Sequence, residues 1–179
     1  MEIWNAFSIA GNLGGVDESG QTAPSTENLW DELLSDGVVV WGTASDDVHE
    51  YEALDDRDAP TPGKAWIVVR AHALDHESIM DALGRGDFYA STGITIDRYD
   101  AGPDGIDITF RTISGWRAAK FSALTRYLTR FIGRGGRLLA ERYGPNPRYP
   151  VNGDEGYIRA VITDADGRHA WTQPYFLEM

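Results

Sequence analysis

The chain has 179 residues, 42% hydrophobic and 11% aromatic, enough apolar material for one ordinary domain, or a small domain plus part of another, and too much for a disordered polymer. It has no cysteine, which excludes a disulfide scaffold and a thiolate metal site and leaves imidazole and carboxylate as metal ligands. With 28 acids against 16 bases the net charge is −12, so general nucleic-acid or membrane-surface binding has no long-range attraction to draw on.

In chain order, residues 3–9 read as a strand and residues 11–24 as a loop rich in Gly, Ser and Asp. Ser25 can cap a helix whose apolar positions Leu29, Trp30, Leu33 and Leu34 fall on one face, and Gly37 closes it. Residues 38–41, Val-Val-Val-Trp, then read as a buried strand that empties into Asp46-Asp47-Val48-His49. In α/β architectures ligands collect at the carboxyl ends of strands, so Asp47 and His49 stand where reactive groups usually stand. In extended chain, residues two apart point the same way, and a divalent ion such as manganese, zinc or iron accepts a mixture of oxygen and nitrogen. An Asp-rich turn beside a solvated His fits the same residues equally simply.

A loop holding Pro60 and Pro62 runs to Gly63, residues 65–71 read as a second buried strand, and Asp75 caps a helix through Leu83 with Ile79, Met80 and Leu83 inward. From Ala90 the pattern changes to short strands, at 106–113, 118–124, 157–163 and 170–177. The last two flank the turn Asp164-Ala165-Asp166-Gly167, a strong hairpin signal. Residues 127–143 read as strand, loop, strand, because Gly133, Gly135 and Gly136 interrupt an otherwise helical face. The organisation is therefore α/β over residues 1–93 followed by a small antiparallel β-rich domain over 94–179. No apolar stretch approaches the roughly 20 residues of a bilayer span, and the start of the chain has no basic region, so a cytoplasmic protein is expected.

Further candidates carry two readings each. Asp46 is either an acceptor that orients the His49 ring or a turn residue. Asn5 can line a site from the end of the first strand, or be an ordinary polar strand end. Arg70 is either a phosphate clamp or half of an ion pair. His72 and His76 straddle a strand-to-helix loop, and His169 falls in the hairpin. The basic stretch from Arg117 to Arg142 can contact phosphate or simply keep a surface solvated.

Five blocks carry a family resemblance: Glu2-Ile3-Trp4-Asn5; Leu29-Trp30-Asp31-Glu32-Leu33-Leu34-Ser35-Asp36-Gly37; Ala44-Ser45-Asp46-Asp47-Val48-His49; Phe88-Tyr89-Ala90-Ser91-Thr92-Gly93; and Tyr157-Ile158-Arg159-Ala160 with Asp164, Gly167 and Ala170-Trp171-Thr172-Gln173-Pro174. In this order they resemble the carboxy-terminal half of the PHP (polymerase and histidinol phosphatase) family of metal-dependent phosphoesterases. The resemblance implies a distorted β/α barrel with a two- or three-metal site, and it places Asp47 and His49 among the ligands. The family's His-x-His strand and further ligands lie upstream of the block matching Glu2, and this chain holds only four His, at 49, 72, 76 and 169, with no His-x-His pair.

Two functional expectations follow. One is the carboxy-terminal portion of a PHP-type phosphoesterase that hydrolyses a small phosphoester with metal-activated water, inactive without the upstream strands. The other is a non-catalytic interaction or assembly module. A barrel cut near its middle leaves strand edges unpaired, so self-association is expected of the isolated chain.

Overall fold

The computed structural model describes residues 1–7, 11–16, 19–52, 61–111 and 127–177. The chain divides into two units, Met1–Thr92 and Gly93–Met179. The first mixes helix and strand and the second is β-rich; among the described residues there are two α-helices, several antiparallel sheets and no closed barrel.

In the first unit, strands β1 (Glu2–Asn5) and β4 (Thr43–Ser45) pair in parallel. The ribbon of β2 (Gly15–Val16) and β3 (Thr22–Ala23) and the helix α1 (Thr26–Ser35) lie between them in sequence. Ser25 caps α1 by accepting from the Asn28 N–H, and Gly37, in the left-handed region at φ 83°, ends it by donating to the Leu34 carbonyl. Of the four positions expected on the buried face, only Trp30 and Leu34 are buried. Trp30, Asp31 and Leu34 are buried, while Leu29 and Leu33 are exposed. Trp30 sets this orientation: its indole donates to the Val40 carbonyl at 2.8 Å, and its ring lies so close to Gly42 that a Cβ there would come within 2.8 Å of it.

The same contacts overturn the strand expected at 38–41. Those residues are irregular, Val39 is 61% exposed, and the pairing strand begins only at Thr43. The Val40 carbonyl is taken by Trp30 and the Trp41 carbonyl by the amino terminus at 2.8 Å, so neither is free to join a ladder.

Strands β5 (Trp66–Val69) and β6 (Phe88–Ser91) pair antiparallel, with α2 (His76–Arg85) between them in sequence. Asp75 caps α2 through Ser78, as its sequence predicts, and Gly86 closes the helix at φ 76° with the Trp41 ring 2.8 Å from where a Cβ would stand. The expected fully buried strand is instead half-exposed, Trp66 and Val68 facing outward. Met80, expected inward, is exposed, and Ala82 is the buried residue of α2.

In the second unit β7 (Ile96–Gly102) and β8 (Gly105–Phe110) form a hairpin that β11 (Arg148–Pro150) extends in the order β11-β8-β7. A second sheet runs β10 (Arg137–Tyr143), β9 (Tyr127–Gly133), β12 (Tyr157–Asp164), β13 (His169–Thr172), with β14 (Tyr175–Phe176) also on β12. The strand–loop–strand reading of 127–143 is what forms, closed by a single 3-10 turn at Arg134–Gly136. The hairpin at 164–167 also forms, with Asp164 accepting from the N–H of Asp166 and of Arg168 and from the Arg168 guanidinium. The two sheets meet through Phe110 on Tyr127 and Phe131 on Tyr149, ring centroids 4.5 and 5.4 Å apart. Trp171 is buried, as expected of a packing residue. The strand expected at 118–124 lies outside the described residues, as does the end of the one expected at 3–9. No helix among the described residues is long and apolar enough to cross a membrane.

Candidate functional site

The parallel strands β1 and β4 end together, with Asn5 opposite Ser45. Beyond Ser45 the chain leaves the sheet, and Asp47 adopts φ 54°, the one positive value among the described non-glycine residues. Aspartate is one of the few residues that tolerates this region. The turn is held by a short relay: Asp47 N–H donates to Ser45 Oγ at 3.2 Å, Ser45 Oγ donates to Glu2 Oε1 at 2.7 Å, and Asn5 Nδ2 donates to Glu2 Oε2 at 3.2 Å.

His49 Nε2 lies 3.8 Å from Asp47 Oδ1, and both side chains are open to solvent. Two donors each about 2.1 Å from one ion lie roughly 3–4 Å apart, so this separation suits a shared cation as well as a direct ion pair. Phe7 flanks the imidazole with ring centroids 6.3 Å apart. Glu2 belongs to the same constellation through Ser45 and Asn5, and sequence reasoning did not single it out. Its only signal was its place in the first family-like block.

The other candidates are placed elsewhere. Asp46 uses both carboxylate oxygens on the backbone N–H groups of Gly63, Lys64 and Ala65, at 2.9 and 2.6 Å for the first two. It therefore clasps the loop that carries His49 instead of orienting the imidazole. Asn5 spends its Oδ1 on the Phe7 N–H at 2.8 Å, so its amide shapes the strand end.

Arg70 pairs with Asp87 at 3.3 Å, Arg85 takes the other Asp87 oxygen at 3.0 Å, and the Arg70 N–H donates to the Asp87 carbonyl. Arg70 also stands five residues past Ala65 along β5, roughly 16 Å at strand rise, from the loop anchor of Asp46. It is an ion-pair residue at the far end of the strand from Asp47, and His72 and His76 follow it in sequence. In the second unit His169 Nδ1 is 3.2 Å from Thr163 Oγ1 and its ring lies against Trp171. Of the basic stretch, Arg130 pairs with Glu141 and Arg137 with Asp154, while Arg117, Lys120 and Arg126 lie outside the described residues. Among the described residues no group of three or more His, Asp or Glu side chains converges to hold a metal.

One polar centre of the second unit escaped sequence reasoning. Glu155 is wholly buried, and its carboxylate accepts from Tyr149 OH, Asn152 N–H and Gly153 N–H, each at 2.8 Å. Burial by itself would raise its pKa, but the hydrogen bonds from Asn152, Tyr149 and Gly153 outweigh it and hold the group at about 2. Burial and the adjacent Glu155 push the Tyr149 phenol upward. The only local signal was a Glu beside an Asn-Gly turn.

Comparison with protein-family models, with curated proteins and with solved structures yields no match.

Proposed function

We propose that this chain is the carboxy-terminal portion of a PHP-type metal-dependent phosphoesterase, in which Asp47 and His49 supply two ligands to a divalent ion and β1, α1 and β4 belong to a distorted β/α barrel. The observation that carries the reading is the 3.8 Å approach of His49 Nε2 to Asp47 Oδ1 at the carboxyl ends of a parallel strand pair. The ion, manganese, zinc or iron, would turn water into hydroxide near neutral pH and offset charge on phosphoryl oxygens.

The chain's own part is positional. Asp47 and His49 act as donors and not as nucleophiles, Ser45 and Glu2 hold the left-handed turn that aims Asp47, and Asp46 pins the His49 loop to the start of β5. A small phosphoester suits the open end of the strands. The negative net charge disfavours nucleic acid and membrane surfaces as general partners. Two ligands fall short of a hydrolytic multi-metal centre, so the remaining donors belong to upstream strands.

A second reading, a non-catalytic interaction or assembly module that folds without upstream barrel strands, is favoured by the outer edge of β1, which has no free pairing groups at Asn5 or at the Ile3 carbonyl for such a strand. There the backbone groups of Asn5 are already bonded to the Asn12 side chain and the Ile3 carbonyl to the Thr26 hydroxyl.

Titration calorimetry with manganese and zinc on the wild type and on Asp47→Ala/His49→Ala tests the assignment. One ion bound by the wild type and none by the double variant is expected. Equal binding by both would remove Asp47 and His49 from the site.

A further inference from the structure

The loop between β11 and β12 holds the only Asn-Gly pair in the sequence, Asn152-Gly153, and both residues are exposed to water. Such a pair can rearrange chemically because glycine has no Cβ to hinder approach. The Gly153 nitrogen attacks Asn152 Cγ and a new C–N bond forms. The Cγ–Nδ2 bond breaks, and the amide nitrogen leaves as ammonia with the proton given up by Gly153. Water then opens the succinimide to aspartate or isoaspartate.

Both reacting groups are tied to one buried carboxylate. Gly153 N–H donates to Glu155 Oε2 at 2.8 Å. Asn152 Nδ2 donates to Tyr149 OH at 2.9 Å, to Glu155 Oε1 at 3.2 Å and to the Pro150 carbonyl at 3.5 Å, while Asn152 N–H donates to Glu155 Oε1 at 2.8 Å.

We propose that Asn152 is a conditional deamidation site, held shut in the folded loop by Glu155 and Tyr149 and opened whenever that loop is released. Attack requires the Asn152 side chain to swing its Cγ over the Gly153 nitrogen, which breaks the Nδ2 bonds to Tyr149 and Glu155. It also requires the Gly153 N–H to leave an ionised carboxylate that is a weak base. The change is one-way. Aspartate at 152 has lost two N–H donors and sets a second carboxylate against buried Glu155, where like charges repel and the loop closes less well. The modification therefore records openings of the second unit.

The test is peptide mapping by mass spectrometry of the tryptic peptide spanning residues 149–159, after incubation at mildly alkaline pH. The wild type is followed both folded and in concentrated urea. Conversion about tenfold or more slower in the folded protein is expected, the factor reflecting the rarity of loop opening. Tyr149→Phe, which removes a bond to Nδ2 but leaves the Gly153 contact, and Glu155→Gln should each speed conversion while circular dichroism remains native. Equal rates folded and in urea would overturn the proposal, and this comparison decides even where a variant fails to fold. Folded variants that convert no faster than wild type would assign protection to general loop rigidity and remove Glu155 and Tyr149 from it. Asn152→Asp with an unchanged melting temperature would overturn the claim that the loop closes less well after conversion.

Discussion

Asn12 pairs with Asn5 as a peptide group on a neighbouring strand would: its Oδ1 accepts the Asn5 N–H at 2.9 Å and its Nδ2 donates to the Asn5 carbonyl at 2.6 Å. Thr26 Oγ adds a bond to the Ile3 carbonyl at 2.6 Å. Exposed strand edges invite another chain, and here side chains occupy the groups that would pair. Asn12→Ala should therefore lower stability by about 1–2 kcal/mol, read from the urea midpoint. It should also produce concentration-dependent light scattering beyond that of the wild type. A variant no more prone to associate would show that this edge does not govern assembly.

The 179-residue chain by itself should show little or no turnover of an aryl phosphate or a nucleotide monoester with manganese, zinc or iron added. On the proposed reading Asp47 and His49, 3.8 Å apart, would supply two ligands, and a hydrolytic centre needs more. Robust metal-dependent turnover that Asp47→Ala/His49→Ala abolishes would show that a reduced site suffices.

Asp46→Ala removes the acceptor of three backbone N–H groups at residues 63–65. A loss of about 2–3 kcal/mol is expected, since hydrogen bonds to a charged group exceed neutral ones. Limited proteolysis within residues 47–62 should accelerate. Asp46→Asn, which keeps one acceptor oxygen, should fall between the alanine variant and the wild type.

Glu155 links stability to pH. Its folded pKa, about 2, lies below the ordinary 4.5, so its contribution is fully present above about 4.5 and is lost as pH falls toward 2. At 1.36 kcal/mol per pH unit the loss is about 3 kcal/mol. Urea midpoints measured from neutral pH down to the acid limit should fall across that window. Glu155→Gln should be less stable at neutral pH and show a flatter profile.

Two glycines should respond in opposite directions. A Cβ at Gly42 would stand 2.8 Å from the Trp30 ring and 2.9 Å from Ile3 Cδ1, so Gly42→Ala should cost about 1–3 kcal/mol by over-packing. Gly84 lies inside α2, and a Cβ added there would meet nothing within 4 Å. Gly84→Ala should stabilise by up to about 1 kcal/mol through helix propensity. Thermal melts of the two variants check both signs.

What the amino-acid sequence determined by itself is what neighbours within about four residues decide. The caps Ser25 and Asp75, the closing glycine 37 and the 164–167 turn were legible because each is a local hydrogen-bonding choice. The tertiary structure decided what depends on partners far along the chain. Val38 to Trp41 has strand composition, yet Trp30 and the amino terminus take its carbonyls. Asp46 looks like a turn residue, and its partners stand 17 to 19 positions away. Asp47 and His49 show both halves of this division. Their identity and i, i+2 spacing could be read directly, but the extended backbone assumed for that spacing does not occur. A left-handed turn at φ 54°, held by Ser45 and through it by Glu2 from another strand, brings the carboxylate and the imidazole together.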